Sequence, residues 1–142
     1  MWKLIYKCSR DGFDAKSWNK IVTGNKDVLC LIHTEHDNIF GSYTKLGYST
    51  QEGGTQNDKD AFLFLIRSSK GYDPAIFNIL ENRTEFAVET CSDYICVCGK
   101  WGFDIAIKEH ADQHKNSWVD CNWLSRSYNC LLYTSDAADE VS

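Results

Sequence analysis

Two cysteines and two histidines in the second half of the chain are of the types that bind zinc: Cys96, Cys98, His110 and His114. Cys96 and Cys98 are two residues apart in an apolar run, a spacing that places both side chains on one face of a β-strand. Thiolate and imidazole are the usual ligands of structural zinc sites, so a zinc-stabilised β-domain is one hypothesis. We favour the alternative, that both cysteines are small apolar side chains of a core, because zinc sites more often use Cys-x-x-Cys.

Other nucleophiles and carboxylates have no arrangement typical of a catalytic site. Cys8 lies two residues before Arg10, a cation that could activate a thiol, but its register points it inward. Ser42 lies inside an apolar run, and the chain has no Gly-x-Ser-x-Gly elbow. Asp58 and Asp60 flank the start of a predicted strand, where we expect both to be solvated. The residues therefore predict a protein that is not an enzyme and needs no cofactor.

The first 24 residues predict a strand, a turn and a helix. Trp2, Leu4 and Tyr6 alternate with Lys3 and Lys7, which is typical of a strand with one outward face. Asp11 and Gly12 indicate a turn, and Asp14 is a good cap for a helix that begins at Ala15. The expected apolar stripe of this helix is Trp18, Ile21 and Val22, and Gly24 is expected to end it.

From residue 27 onward, short apolar runs alternate with polar turns. A four-residue hairpin loop, Glu35–Asn38, joins the first two runs, and a Gly-rich loop at 47–58 follows the second. Both loops are candidate contact surfaces. The pattern predicts an α+β fold, mainly antiparallel β: a two-sheet β-sandwich with one short N-terminal helix and minor flanking helices. The predicted strands are 28–34, 39–46, 61–67, 76–80, 85–90, 94–99 and 103–107.

Composition and charge argue against several classes of partner and cellular location. The chain has 142 residues, of which 43% are hydrophobic and 25% charged, as expected for one globular domain. A net charge of −5 without a basic patch argues against a nucleic-acid partner, and no apolar run is long enough for membrane insertion. Seven cysteines without an export signal argue against a disulfide framework. We therefore expect a cytoplasmic, or else nuclear, protein that is not secreted.

Three stretches in register resemble the TLDc domain family: LIYKCSRDGFDAKSW (4–18), IFGSYT (39–44) and DKDAFLFLIR (58–67). The resemblance implies a β-sandwich with a few flanking helices and no established catalytic machinery. It also implies a role in protection against oxidative stress, exerted by binding a protein partner. The partner that the resemblance implies is the vacuolar proton-pumping ATPase, through its subunits. The motif residues that it singles out are Asp11, Gly12, Phe13, Asp14, Phe40, Gly41, Tyr43, Asp58, Ala61, Phe62 and Phe64.

The end of the chain differs from the rest. The segment CLLYTSDAADEVS changes composition abruptly, and the run Cys130 to Asp139 reads like the translation of a sequencing-library adapter. We therefore expect a TLDc-like domain over residues 1–129, incomplete at its C-terminus, and a non-native tail over residues 130–142.

Overall fold

The computed structural model describes residues 1–99, 104–111, 118–119 and 128. Within these residues, two helices precede eight strands, and a 3-10 helix, Glu81–Phe86, lies between the fourth and fifth strands. None of the helices described is long and apolar enough to cross a membrane. The elements are α1 (Cys8–Asp11), α2 (Ala15–Val22), β1 (Val28–His33), β2 (Ile39–Thr44), β3 (Phe62–Arg67), β4 (Ala75–Asn78), β5 (Val88–Glu89), β6 (Tyr94–Cys98), β7 (Ile105–Lys108) and β8 (Trp118–Val119).

The predicted N-terminal helix is confirmed as α2. Asp14 caps it, since one of its carboxylate oxygens accepts a hydrogen bond from the Ser17 backbone N–H at 2.8 Å. Trp18 and Val22 are buried as predicted, and burying a side chain as large as Trp18 stabilises the fold by about 2–3 kcal/mol. Ile21 is not part of the buried stripe, because 40% of it is exposed on the outward side of the helix.

The predicted N-terminal strand is wrong. Residues 1–7 form no strand, and the chain enters the one-turn helix α1 at Cys8, which is half-buried. Trp2 and Leu4, expected on an inward face, are 66% and 64% exposed. An alternating pattern specifies which side chains share a face, but a strand also needs a neighbour to pair its backbone. Among the residues that the structure describes, no strand pairs with residues 1–7.

The first sheet is an antiparallel meander in the order β1-β2-β3-β4. The hairpin predicted between β1 and β2 is confirmed, with Val28 opposite Thr44 and His33 opposite Ile39. One face of this sheet carries the buried residues of β1 to β3. The opposite face is also rich in apolar side chains. In a sheet with one face packed on the core and the other in water, apolar and polar residues usually alternate, so the outer face would be polar.

The second sheet has the order β5-β6-β7-β8 and is antiparallel. The strand predicted at 85–90 is mostly wrong, because the 3-10 helix extends to Phe86 and only Val88 and Glu89 pair with β6. In the polar run before Phe86, Thr84 is the single β-branched residue, so few of its side chains favour a strand. A bulge interrupts β6 between Ile95 and Val97.

The two sheets pack face to face and form one core, which confirms the predicted sandwich. Phe40 and Leu63 from the first sheet belong to the same buried cluster as Ile95 and Ile105 from the second. Helix α2 packs against this core, where the Trp18 ring meets the Tyr48 ring edge-on at 5.7 Å. The fold thus leaves apolar side chains accessible on the outer face of the first sheet.

Candidate functional site

The outer face of the first sheet carries a row of apolar residues that crosses all four strands. The pairing register places Leu31 opposite Gly41, Gly41 opposite Phe64, and Phe64 opposite Ile76. Leu31 and Ile76, at the two ends of the row, are 60% and 64% exposed. Directly opposed side chains in a sheet lie within contact distance, so this row forms a continuous surface.

A second row runs parallel to the first and is aromatic. Leu29 lies opposite Tyr43, and Tyr43 lies opposite Phe62. The Tyr43 and Phe62 rings stack with their centroids 5.1 Å apart, and Trp2 meets Tyr43 edge-on at 6.4 Å. Trp2 therefore adds a third aromatic ring to this apolar surface.

These rows line an open groove of about 680 Å³. Soluble monomers rarely expose a contiguous apolar patch of this kind unless it binds something. We call this surface the outer face, and it is lined by Leu29, Leu31, Phe62, Phe64, Leu65, Ile66, Pro74, Ala75 and Ile76.

Gly41 shapes the middle of the outer face. A Cβ atom at this position would lie 1.9 Å from the Cys30 carbonyl oxygen and 2.7 Å from the Phe64 ring. The absence of a side chain lets Phe64 lie across β2, so the face is flat at its centre. The glycine of the IFGSYT motif therefore contributes to the surface, not only to the strand.

One end of the outer face is bounded by an acidic turn. The Tyr43 hydroxyl donates a hydrogen bond to the Asp27 carboxylate at 2.7 Å. This bond raises the pKa of Tyr43 to about 12, because the phenolate would face the negative carboxylate. The phenol is therefore held neutral with its ring in the face.

The other end is bounded by charges from the β1–β2 hairpin, the predicted contact loop. Both Asp37 oxygens accept hydrogen bonds from Arg67 at 2.8 Å, and one lies 2.8 Å from the His33 ring nitrogen. The bonds from His33 and then Arg67 lower the pKa of Asp37, so the carboxylate stays charged. The two ends of the groove thus carry polar groups that could orient a partner.

The remaining motif residues of the first sheet point inward. Phe40 and Ala61 are buried in the core between the sheets. Asp58 is 2% exposed, so the expectation that it is solvated is wrong. Its carboxylate accepts four hydrogen bonds: from the Thr44 hydroxyl and from the backbone N–H groups of Lys45, Leu46 and Asp60, at 2.7–3.1 Å. These bonds compensate the loss of hydration.

The motif residues before α2 form a docked turn. Asp11 accepts hydrogen bonds from Arg10 and from the Lys7 backbone N–H, which lower its pKa to about 2. Gly12 has a φ of 106°, which few other residues adopt. The Phe13 carbonyl accepts a hydrogen bond from the His110 backbone N–H at 2.6 Å, which attaches the turn to the end of β7. These contacts give the turn a structural role.

The Gly-rich loop 47–58, the second predicted contact surface, is attached to the second sheet at several points. Tyr48 is buried, and Thr55 forms an isolated bridge with Glu89. The Gly53 N–H also donates to the Thr90 carbonyl at 2.7 Å. Its exposed part is the short tip that includes Gln51 and Glu52.

The proposed zinc ligands lie in different environments. Cys96 and Cys98 are buried members of the core, as the core-packing alternative predicts, whereas His110 is exposed at the turn after β7. His114 lies outside the described residues. Within the part of the chain that the structure describes, no group of three or more His, Cys, Asp or Glu side chains could hold a metal ion.

Comparison with known families agrees with this architecture. The sequence profile of the TLDc domain matches residues 1–135, nearly the whole chain. The chain belongs to the TLDc domain family. A search of curated proteins gave no match. In this TLDc domain, some motif residues are buried, among them Phe40 and Asp58, and others lie on the outer face, among them Tyr43 and Phe64.

Of the residues that line the outer face of this TLDc domain, sequence reasoning named only Phe62 and Phe64. It missed the others, among them Leu29, Leu31 and Ile76. The signal was present, since β1 and β3 are apolar at consecutive positions instead of alternate ones. Such a run predicts a strand with apolar side chains on both faces. The proposed boundary of the TLDc domain at residue 129 and the tail at 130–142 stay predictions, since those residues lie outside the described part.

Proposed function

We propose that this TLDc domain is a non-catalytic protein-interaction module that acts in protection against oxidative stress. Its partner would be a subunit of the vacuolar proton-pumping ATPase, as the resemblance to the family implies. The observation that carries the proposal is the outer face, where Leu31, Phe64 and Ile76 form an apolar row across four strands. Apolar and aromatic side chains clustered at the centre of a patch are typical of protein-binding surfaces.

The charged ends of the groove support a protein partner over a small apolar ligand. Asp27 and Tyr43 lie at one end, and Asp37 and Arg67 at the other. An apolar centre with a polar rim is the usual anatomy of a protein–protein interface. The groove is also open, whereas sites for small ligands are concave and enclose most of the ligand.

The test is a binding measurement with purified subunits of the vacuolar ATPase. We expect the domain to bind one subunit, and Leu31→Glu or Ile76→Glu to weaken that binding at least tenfold. A charge in the apolar row would have to be desolvated on binding, which costs about 1–2 kcal/mol or more. Ile21→Glu is the matched control, because Ile21 is an exposed isoleucine on α2, away from the outer face.

Three outcomes separate the parts of the proposal. If no subunit binds the wild-type domain, the partner is wrong. If the wild type binds and the outer-face variants bind equally well, the site is wrong and the partner stands. Survival of peroxide-treated cells that express the wild type or Leu31→Glu then connects binding to protection, which is contradicted if both protect equally.

A further inference from the structure

A cluster of three thiols lies where the two sheets meet. Cys30 is on β1, and Cys96 and Cys98 are on β6, with exposed fractions of 7%, 4% and 0%. The Tyr48 hydroxyl lies 3.8 Å from the Cys30 sulfur and 3.7 Å from the Cys96 sulfur. The Ser42 hydroxyl lies 3.8 Å from the Cys96 sulfur. One phenol thus contacts a sulfur from each sheet.

The three sulfurs are not equivalent. Hydrogen bonds from Cys30 and Cys98, followed by those from Tyr48 and Ser42, hold the pKa of Cys96 well below its ordinary value despite burial. The hydrogen bond to Cys96 and burial raise the pKa of Cys30, and the same causes raise the pKa of Cys98. The arrangement favours one thiolate surrounded by neutral donors, and the thiolate is the nucleophilic form.

The backbone at Cys96 is irregular. Its φ is +50°, in the left-handed region, and it occupies the bulge between Ile95 and Val97 where the register with β7 shifts. A bulged residue is left out of the regular hydrogen-bonded ladder. Local opening at this residue therefore breaks fewer hydrogen bonds than opening elsewhere in β6, and it gives a small reactant access to the sulfur.

We propose that Cys96 and Cys30 form a thiol pair that hydrogen peroxide oxidises to a disulfide linking the two sheets. The Cys96 thiolate attacks one peroxide oxygen, the O–O bond breaks, and a sulfenic acid forms while hydroxide leaves. The hydroxide takes up the proton that Cys96 lost on ionisation and becomes water. The Cys30 sulfur then attacks the Cys96 sulfur, the S–O bond breaks, and a second water leaves with the Cys30 proton.

The electrons balance within this sequence. The peroxide gains two electrons, and the two thiols lose two as the S–S bond forms. A small dithiol reductant restores both thiols by exchange. Cys30 is the resolving thiol because Tyr48 holds it beside Cys96, whereas Cys98 follows Cys96 on the same strand.

The experiment treats the reduced protein with hydrogen peroxide under native conditions, blocks the remaining thiols after denaturation, and maps peptides without reduction. Trypsin places Cys30 in peptide 27–45. Further cleavage before aspartate cuts at Asp37 and Asp93, which leaves Cys30 in peptide 27–36 and separates Cys91 from Cys96 in peptide 93–100. We expect these two peptides to be joined, with a mass lower by two hydrogens, and separated again by dithiothreitol. A bond between Cys96 and Cys98, no bond, or a bond formed only in denaturant would overturn the proposal.

Single-residue variants identify which two sulfurs form the disulfide. Cys30→Ala and Cys96→Ala should abolish the cross-link, whereas Cys98→Ala should still form it, more slowly because one hydrogen bond to Cys96 is lost. Oxidation should also raise the midpoint of thermal unfolding of the wild type and of Cys98→Ala, but not of Cys30→Ala. If a variant fails to fold by near-ultraviolet circular dichroism, fragmentation of the joined wild-type peptides decides the question, because it locates the bond at Cys96 or at Cys98. A cross-link that persists in folded Cys30→Ala contradicts the pairing.

Discussion

At the scale of single residues, Tyr43 connects the outer face with its acidic border. Its ring stacks on Phe62 and its hydroxyl is bonded to Asp27. The same side chain thus contributes apolar surface and fixes the turn before β1. A change in its protonation would affect both the face and the turn.

Tyr43 should titrate about two pH units above an ordinary tyrosine. Its pKa is raised to about 12, so the fold favours the neutral phenol. This stabilisation is complete below pH 10 and is lost as the pH rises towards 12. The measurement is the phenolate absorbance of the wild type minus that of Tyr43→Phe as the pH is raised.

Asp27→Asn is the companion variant to this titration. Without the carboxylate, the Tyr43 step should move towards pH 10, because the hydrogen bond to Asp27 is the largest cause of the shift. Asp37→Asn, at the opposite end of the outer face, should leave the step in place. If Asp27→Asn does not move the step, burial and not the hydrogen bond raises the pKa.

At the scale of elements, Asp58 connects the end of β2 with the start of β3. One of its oxygens accepts hydrogen bonds from Thr44, Lys45 and Leu46, and the other accepts the Asp60 N–H. One buried carboxylate therefore holds two ends of neighbouring strands across the intervening loop. The conformation of loop 47–58 depends on this connection.

Asp58→Asn should lower the free energy of unfolding by about 2–3 kcal/mol. The amide of the variant replaces one acceptor oxygen with an NH₂ donor. This donor would face N–H and O–H groups that donate hydrogen bonds to Asp58 in the wild type. Urea unfolding of the two proteins measures the difference. Asp60→Asn is the control: its carboxylate is 41% exposed, and its ion pairs with Lys45 and Lys59 are at the surface, so we expect a change under about 0.5 kcal/mol. Equal effects of both variants would contradict the role of Asp58.

The elements that sequence reasoning predicted correctly are those in which local chemistry agrees with the tertiary contacts. Asp14 caps α2 through its own side chain, and the apolar runs of β1 and β2 carry a hairpin loop between them. The N-terminal strand was wrong because alternation around Leu4 says nothing about whether a partner strand is present. Asp58 was expected to be solvated because its partners are 12–14 residues earlier in the chain.

The candidate site was only partly predictable for the same reason. Tyr43, Phe62 and Phe64 were named as motif residues, but their common surface depends on the register between β2 and β3. The thiol cluster likewise joins Cys30 to Cys96 across the two sheets. Sequence spacing could connect Cys96 with Cys98, but not with a residue on the opposite sheet.

At the scale of the whole molecule, the first sheet has an apolar outer face, and in the described residues each of its end strands, β1 and β4, pairs with one neighbouring strand. Exposed apolar surface beside unpaired strand edges favours association of protein chains. The surface proposed for a partner is therefore also the surface through which copies of this domain would associate when the partner is absent.

Leu31→Lys should weaken self-association by about tenfold or more, because a charge at the exposed end of the apolar row disfavours contact between two such faces. Sedimentation velocity over a range of concentrations measures this. Ile21→Lys adds the same charge on α2 and should change association little. If both variants reduce association equally, net charge and not the outer face controls it.

The order of strands along the chain has a consequence for synthesis on the ribosome. The four described strands of the first sheet have all been made once Asn78 is synthesised, but the inner face that contains Leu63 is covered by β6 and β7, which end at Lys108. At about 5–20 residues per second, roughly 2–6 seconds separate the two points. During that interval the nascent sheet is apolar on both faces, which makes it a substrate for chaperones that bind emerging chains.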